Sequence, residues 1–135
     1  MKKFLKDRIY DYLNQFDNLW DECGLDPEED TIEDLEQDII DSDNLRVFCC
    51  EINYLDEANY VIRNTDDDLL ESIFGYDINV RRSKKVDRFE VASEILDYCF
   101  DDVASEVIPE YLQEKGYKEI KEYLSRKKRP LRFTQ

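Results

Sequence analysis

The chain contains no histidine among its 135 residues. That removes Ser-His-Asp and Cys-His catalysis, the commonest zinc ligand and the commonest general base. Glycine is scarce: Gly24, Gly75 and Gly116 are all there is, and no two are close, so phosphate-cradling glycine loops are absent. The four cysteines, Cys23, Cys49, Cys50 and Cys99, form no Cys-x-x-Cys pair, which argues against a zinc knuckle or a thioredoxin-like motif. Cys49 and Cys50 are adjacent, and disulfide geometry disfavours a bridge between neighbours. After the basic N-terminus only Phe4 and Leu5 precede Lys6, Asp7 and Arg8, which is no signal-peptide core. The thiols are therefore expected to be free, in a reducing cytoplasm, as small core hydrophobes. No apolar run approaches the roughly 20 residues of a membrane span.

What the chain has in excess is carboxylate. There are 34 Asp plus Glu against 19 Lys plus Arg, for a formal charge of −15. Seven Phe, nine Tyr and one Trp argue against plain disorder and supply a core for one domain. The charge is segregated. Residues 9–80 hold 22 acids and only Arg46 and Arg63, and residues 89–114 hold eight acids and no base. The bases gather in residues 1–8, in a connector over 76–88 that carries Arg81, Arg82, Lys84, Lys85 and Arg88, and over residues 115–135, which end in a basic C-terminal tail over 126–135. The expected organisation is an acidic helical domain over 1–125, interrupted by that connector and followed by that tail.

Apolar spacing predicts an all-α fold of about five or six helices. Leu5, Ile9, Tyr12, Leu13, Phe16, Leu19, Trp20 and Cys23 read as one helical stripe over 3–23, closed by Gly24. Thr31 opens a second helix with Asp34 in a capping-box position, and Ile32, Leu35, Ile39 and Ile40 form its buried side. Residues 45–52 admit strand or helix; a lone strand would lack a partner, which favours helix or irregular chain. Tyr54, Leu55, Ala58, Val61 and Ile62 predict a third helix. Asp66 is expected to cap a short fourth, ended by Gly75, with Asp67 and Asp68 favoured by the helix dipole. A long helix is expected over about 86–107, on a stripe of Phe89, Ala92, Ile95, Leu96, Cys99, Phe100, Val103 and Val107. Pro109 is expected to kink or restart it. A last short helix follows over 117–124. Phe16, Trp20, Phe48, Phe74, Phe89 and Phe100 are all expected in the core.

Carboxylates can do chemistry, but little marks any as catalytic. A di-iron bundle needs Glu-x-x-His motifs, and there is no histidine. A glycosidase pair would be two acids among 34 with nothing to single them out. The run Asp66–Asp68 with Glu71 lacks the spacing of an EF-hand loop. No enzymatic activity, metal or cofactor is expected. Direct DNA binding is disfavoured by the net charge, although the basic connector and tail offer a contact to nucleic acid or an acidic patch unless they pair internally.

Acid on this scale exceeds what solubility needs and costs stability through self-repulsion, so a basic partner is expected. Acids at i, i+3 and i+4 on one helix lie about 4.5–6 Å apart along its axis, close to the phosphate spacing of a DNA strand. A rigid array of that kind imitates a duplex. The candidates are Asp7, Asp11, Asp21, Glu22, Glu33, Asp34, Glu36, Asp38, Asp41, Asp66, Asp67, Asp68, Glu90, Glu94, Asp97, Asp101 and Asp102, acting collectively. An immunity protein that plugs a basic nuclease toxin fits the same composition. It would place its affinity in a compact patch with aromatic anchors such as Trp20, Tyr54 or Tyr60. A scaffold with no nucleic-acid-related partner is a third alternative.

The stretch Asp34-Leu35-Glu36-Gln37-Asp38-Ile39-Ile40-Asp41-Ser42-Asp43-Asn44, leading into Val47-Phe48-Cys49-Cys50-Glu51-Ile52, together with the long acidic helix over 89–111, resembles the Ocr-type antirestriction proteins of phages. The resemblance is one of pattern and composition over about two-thirds of the chain. It implies an all-α dimer without catalytic residues that imitates bent B-DNA and blocks type I restriction enzymes. The expected partner is then a basic, nucleic-acid-binding defence protein of a bacterial host, a restriction enzyme or a CRISPR effector, met in the cytoplasm. The basic connector, the basic tail and the four cysteines depart from that family's pattern, which leaves target and dimer geometry open.

Overall fold

In the computed structural model the described residues are 1–75 and 87–120, and they are all-α, with no strand among them. Seven helices lie wholly within them: α1 (Lys2–Leu13), α2 (Leu19–Glu22), α3 (Ile32–Ile40), α4 (Asp43–Cys50), α5 (Leu55–Arg63), α6 (Asp67–Phe74) and α7 (Arg88–Glu114). Residues 117–120 are helical as well. Beyond Asp87 and Arg88, the expected basic connector lies outside the described residues. So do the tail and the expected last helix past residue 120.

The spine is α7. Its 27 residues span about 40 Å at 1.5 Å per residue. It packs against α1, α3, α4, α5 and α6. Ile95, Leu96, Phe100, Ala104, Val107, Ile108 and Leu112 are completely buried along it. Against them lie Leu5 and Ile9 of α1, Leu35 of α3, Leu45 and Cys49 of α4, Ala58 and Val61 of α5, and Leu70 of α6.

Two sets of polar contacts orient the neighbours. Lys2 pairs with Glu106, Lys6 with Glu110 at 3.4 Å, and the Tyr10 hydroxyl donates to Glu114 at 2.9 Å. Both series advance by four residues, so α1 runs parallel to the C-terminal half of α7. Arg46 bridges to Asp97 and Asp101, while Ser93 donates to the carbonyl of Cys50 at 2.9 Å. Here the numbering runs in opposite senses, so α4 is antiparallel to α7.

The capping reading of α3 holds. Thr31 Oγ1 accepts from the Asp34 amide and the Asp34 carboxylate accepts from the Thr31 amide, each at 3.1 Å. Residues 43–50 are helix, opened by Ser42, whose hydroxyl accepts from the Leu45 amide. Asp66 stands at the N-cap of α6 but its side chain makes no capping bond.

The single stripe over 3–23 is corrected: the helix stops at Leu13 and resumes at Leu19. Asn18 is the reason. Its side chain accepts from the amides of Trp20 and Asp21, a cap that only an extended residue before a new helix can form. The break turns α2 so that Leu19 and Trp20 stay buried. Gly24, at φ +70°, then closes α2, with the Leu25 amide reaching back to the Trp20 carbonyl.

Of the two effects expected of Pro109, a restart does not occur: the long helix runs through it to Glu114. A proline inside a helix costs about 3 kcal/mol. Burial of Ile108, Tyr111 and Leu112 beyond it outweighs that, at about 1.5–3 kcal/mol per large apolar side chain. The Tyr111 hydroxyl adds a bond to Asn14 at 2.9 Å.

The expected core loses Phe89, which is 38% exposed; Val91 takes the buried position near the start of α7. Trp20 and Phe100 are buried as expected, and Phe16, Phe48 and Phe74 pack half-buried at the margin. Tyr54 and Leu55 point outward rather than inward. The four cysteines are free. Burial pushes the Cys49 thiol up to about 12 and the Cys50 thiol to about 11, so both are protonated core groups at neutral pH.

Candidate partner-binding surface

Every one of the seventeen candidate acids is exposed except Glu36, which is half-buried on α3. They differ in what the fold has already given them. Asp97 and Asp101 are held by one guanidinium, that of Arg46, with the first bond at 2.8 Å. The same guanidinium lies over the Phe100 ring, 4.6 Å from its centroid, and the two carboxylates strengthen its proton affinity. Those two acids are engaged inside the molecule. So are Glu106 and Glu110, bound to Lys2 and Lys6, and Glu114, bound to Tyr10.

The N-terminal third contrasts with this. Between Arg8 and Arg46 no basic residue occurs. Among the described residues no ion pair falls on Asp11, Asp21, Glu22, Glu33, Asp34, Asp38 or Asp41. Asp34 and Asp38 on α3 and Asp41 at its C-cap stand at i, i+4 and i+7, all exposed. Asp41 accepts from the Gln37 side chain at 3.0 Å, which fixes its direction without neutralising it. The acids of α2 adjoin those of α3: Glu22 and Asp38 line one cleft with Cys23, and both carboxylates add to the burial that raises the Cys23 thiol.

Asp17, Asp26, Glu29 and Asp43 belong to the same base-free segment and are exposed, although the sequence reading did not single them out. The signal was present in the missing bases. The turn before α3 is held by its own acids: Asp26 accepts from the Glu28 amide at 2.9 Å and Asp30 from the Asp26 amide at 2.7 Å.

The remaining candidates are spread out. Asp7 shares a shallow cleft with Asp56, Glu57 and Lys3. Asp66, Asp67 and Asp68 stand at the start of α6, with Asp68 and Glu71 lining another cleft. Glu90, Glu94 and Asp102 lie on the outward side of α7. Among the described residues no three acids or thiols come together as a metal site.

No family model, curated protein or solved structure matches this chain. The surface must therefore be read from its own chemistry. Of the anchors considered for a compact interface, Trp20 is buried, Tyr60 is half-buried and stacks on Phe4 at 6.0 Å, and Tyr54 alone stays open, at 70% exposure. Among the described residues no helix is long and apolar enough to cross a membrane.

Among the described residues Glu36 is the carboxylate whose proton affinity the fold alters. Burial raises it from its ordinary value, opposed by Lys118 and assisted by Glu33. A carboxyl raised in the folded state contributes most below its unfolded value and loses that contribution as pH rises through the folded one. Glu36→Gln is therefore expected to raise stability at pH 7, with the gain vanishing towards pH 4. Urea midpoints at the two pH values measure it, and a gain equal at both would contradict the burial account.

Proposed function

We propose that this protein is a DNA mimic that occupies the positively charged nucleic-acid channel of a bacterial defence enzyme, a restriction enzyme or a CRISPR effector. The observation that carries the reading is the absence of any base between Arg8 and Arg46, together with the exposed acids Asp21, Glu22, Glu33, Asp34 and Asp38 of α2 and α3, on which no ion pair falls among the described residues, whereas Glu57, Asp97, Asp101, Glu106 and Glu110 are paired. Unmatched like charge destabilises a fold, and its retention is explained by a partner that supplies the missing cations. Helices hold the array rigid, so little ordering entropy is lost on binding. The acids act as phosphate substitutes, and no bond is made or broken.

The test is affinity capture from a bacterial lysate at low salt, followed by elution at roughly 0.5 M, where the screening length falls to about 4–5 Å. Recovery of a DNA-handling enzyme that is displaced by salt and by competing duplex DNA is the expected result. A sole partner that resists both would overturn the mimic.

A second reading, an immunity protein against a basic nuclease, is favoured by the exposed apolar side chains of Val47, Tyr54 and Leu55, at 63%, 70% and 51%. It predicts that alanine at one or two of these removes most of the affinity, whereas mimicry predicts many small losses across the acids.

A further inference from the structure

The cleft shared by Glu22, Asp38 and Cys23 is built where four helices meet. Tyr12 and Leu13 end α1, Phe16 lies in the break that follows, Leu19 opens α2 and Cys23 closes it, Ile39 comes from α3, and Ser42 caps α4. The cleft has a volume of about 280 Å³. Leu13, Leu19 and Ile39 are its buried floor. Tyr12 and Phe16, both half-buried, meet edge to face at 5.2 Å and give it an aromatic side. Among the described residues the charged groups that line it are Glu22 and Asp38, both exposed, and no ion pair falls on either. Both carboxylates act on the half-buried Cys23 thiol, so both stand within electrostatic reach of the same wall.

We propose that this cleft binds a small organic cation, a primary ammonium carried on a single aromatic ring. The ring lies on the floor beside Tyr12 and Phe16, and the ammonium stays at the rim between Glu22 and Asp38. Each half of the cleft excludes a simpler ligand. A neutral aromatic molecule would cover the floor but desolvate two acids with no counterion. A bare alkylammonium would meet the acids and leave the apolar floor in water. An anion would be repelled by both carboxylates. Ring–ring contact adds to the burial, and the size falls just under the roughly 300–1,000 Å³ of clefts that take larger molecules. The site does not rest on the mimic reading, because its floor and aromatic side have no part in imitating phosphate.

The test uses the full chain, isotope-labelled, titrated with phenethylammonium and, separately, with ethylammonium and 2-phenylethanol at constant ionic strength. Saturable amide shifts at Phe16, Leu19, Cys23 and Ile39 are expected with phenethylammonium, with affinity about 2- to 30-fold above that for 2-phenylethanol. Asp38→Asn, at an exposed position, should weaken binding about 1.5- to 5-fold. Cys23 gives a second readout: phenethylammonium should slow its alkylation by iodoacetamide and leave Cys99, half-buried on α7, unchanged. No saturable shift, shifts shared equally with the acids of α6, 2-phenylethanol binding as tightly as the amine, or equal alkylation of Cys23 with and without it would each overturn the site.

Discussion

Phe100→Ala is expected to cost about 3–5 kcal/mol of folding stability, a large share of the roughly 5–15 kcal/mol a domain has. Phe100 is completely buried at the middle of α7, so its removal leaves a cavity that the surrounding helices cannot fill without moving. Its ring also carries the Arg46 guanidinium, which ties α4 to Asp97 and Asp101. Two comparisons separate those contributions. Arg46→Ala removes the cation and leaves the ring; the pairs it breaks are partly exposed, and the expected cost is about 1–2 kcal/mol. Phe89→Ala removes the same side chain from an exposed site at the start of α7 and is expected to change stability by less than about 0.5 kcal/mol. Urea unfolding followed by helical signal gives all three. Combining Phe100→Ala with Arg46→Ala should cost less than the sum, because Phe100→Ala alone already removes the ring on which the cation rests. A Phe100→Ala cost no larger than that of Phe89→Ala would mean that α7 is not the packed spine described.

The spine itself was legible in the sequence, since Ala92, Ile95, Leu96, Phe100 and Val107 recur at helical spacing and all are buried. Its C-terminal end was not. Pro109 is a strong local signal, and what overrides it is burial of Ile108 and Leu112 against other helices, which no local pattern reports. The capping box at Thr31 and Asp34 is a short-range device and could be read directly. The break before Leu19 is also short-range, but Phe16, Leu19 and Trp20 continue the apolar spacing across it, so periodicity masked the cap that Asn18 forms. Exposure of the candidate acids was legible too, because few acids are ever buried. Which of them are already matched was not, because the matches join distant parts of the chain: Arg46 to Asp97 and Asp101, Lys2 to Glu106, Lys6 to Glu110. A sequence gives the number of charges and withholds their pairing.

That pairing separates two groups of acids, and neutralising each group should have opposite consequences. In one variant Asp21→Asn, Glu22→Gln, Glu33→Gln and Asp38→Asn remove four charges from α2 and α3, where no ion pair is lost. Self-repulsion falls, so the fold should hold its stability or gain, most visibly at low salt. Affinity for the basic partner should drop about 4- to 800-fold, at about 0.2–1 kcal/mol per exposed charge pair, and the dependence of affinity on salt should flatten. In the other variant Asp97→Asn, Asp101→Asn, Glu106→Gln and Glu110→Gln remove the same charge from α7. Here the fold loses the counterions of Arg46, Lys2 and Lys6, which hold α4 and α1 in place. Stability should fall, by about 1–3 kcal/mol, while partner affinity changes less than in the first variant. Equal charge removed with unequal effect on binding isolates geometry from net charge. If both variants lost partner affinity equally, binding would follow the overall −15 rather than an array on α2 and α3, and a mimic defined by the position of its carboxylates would be excluded.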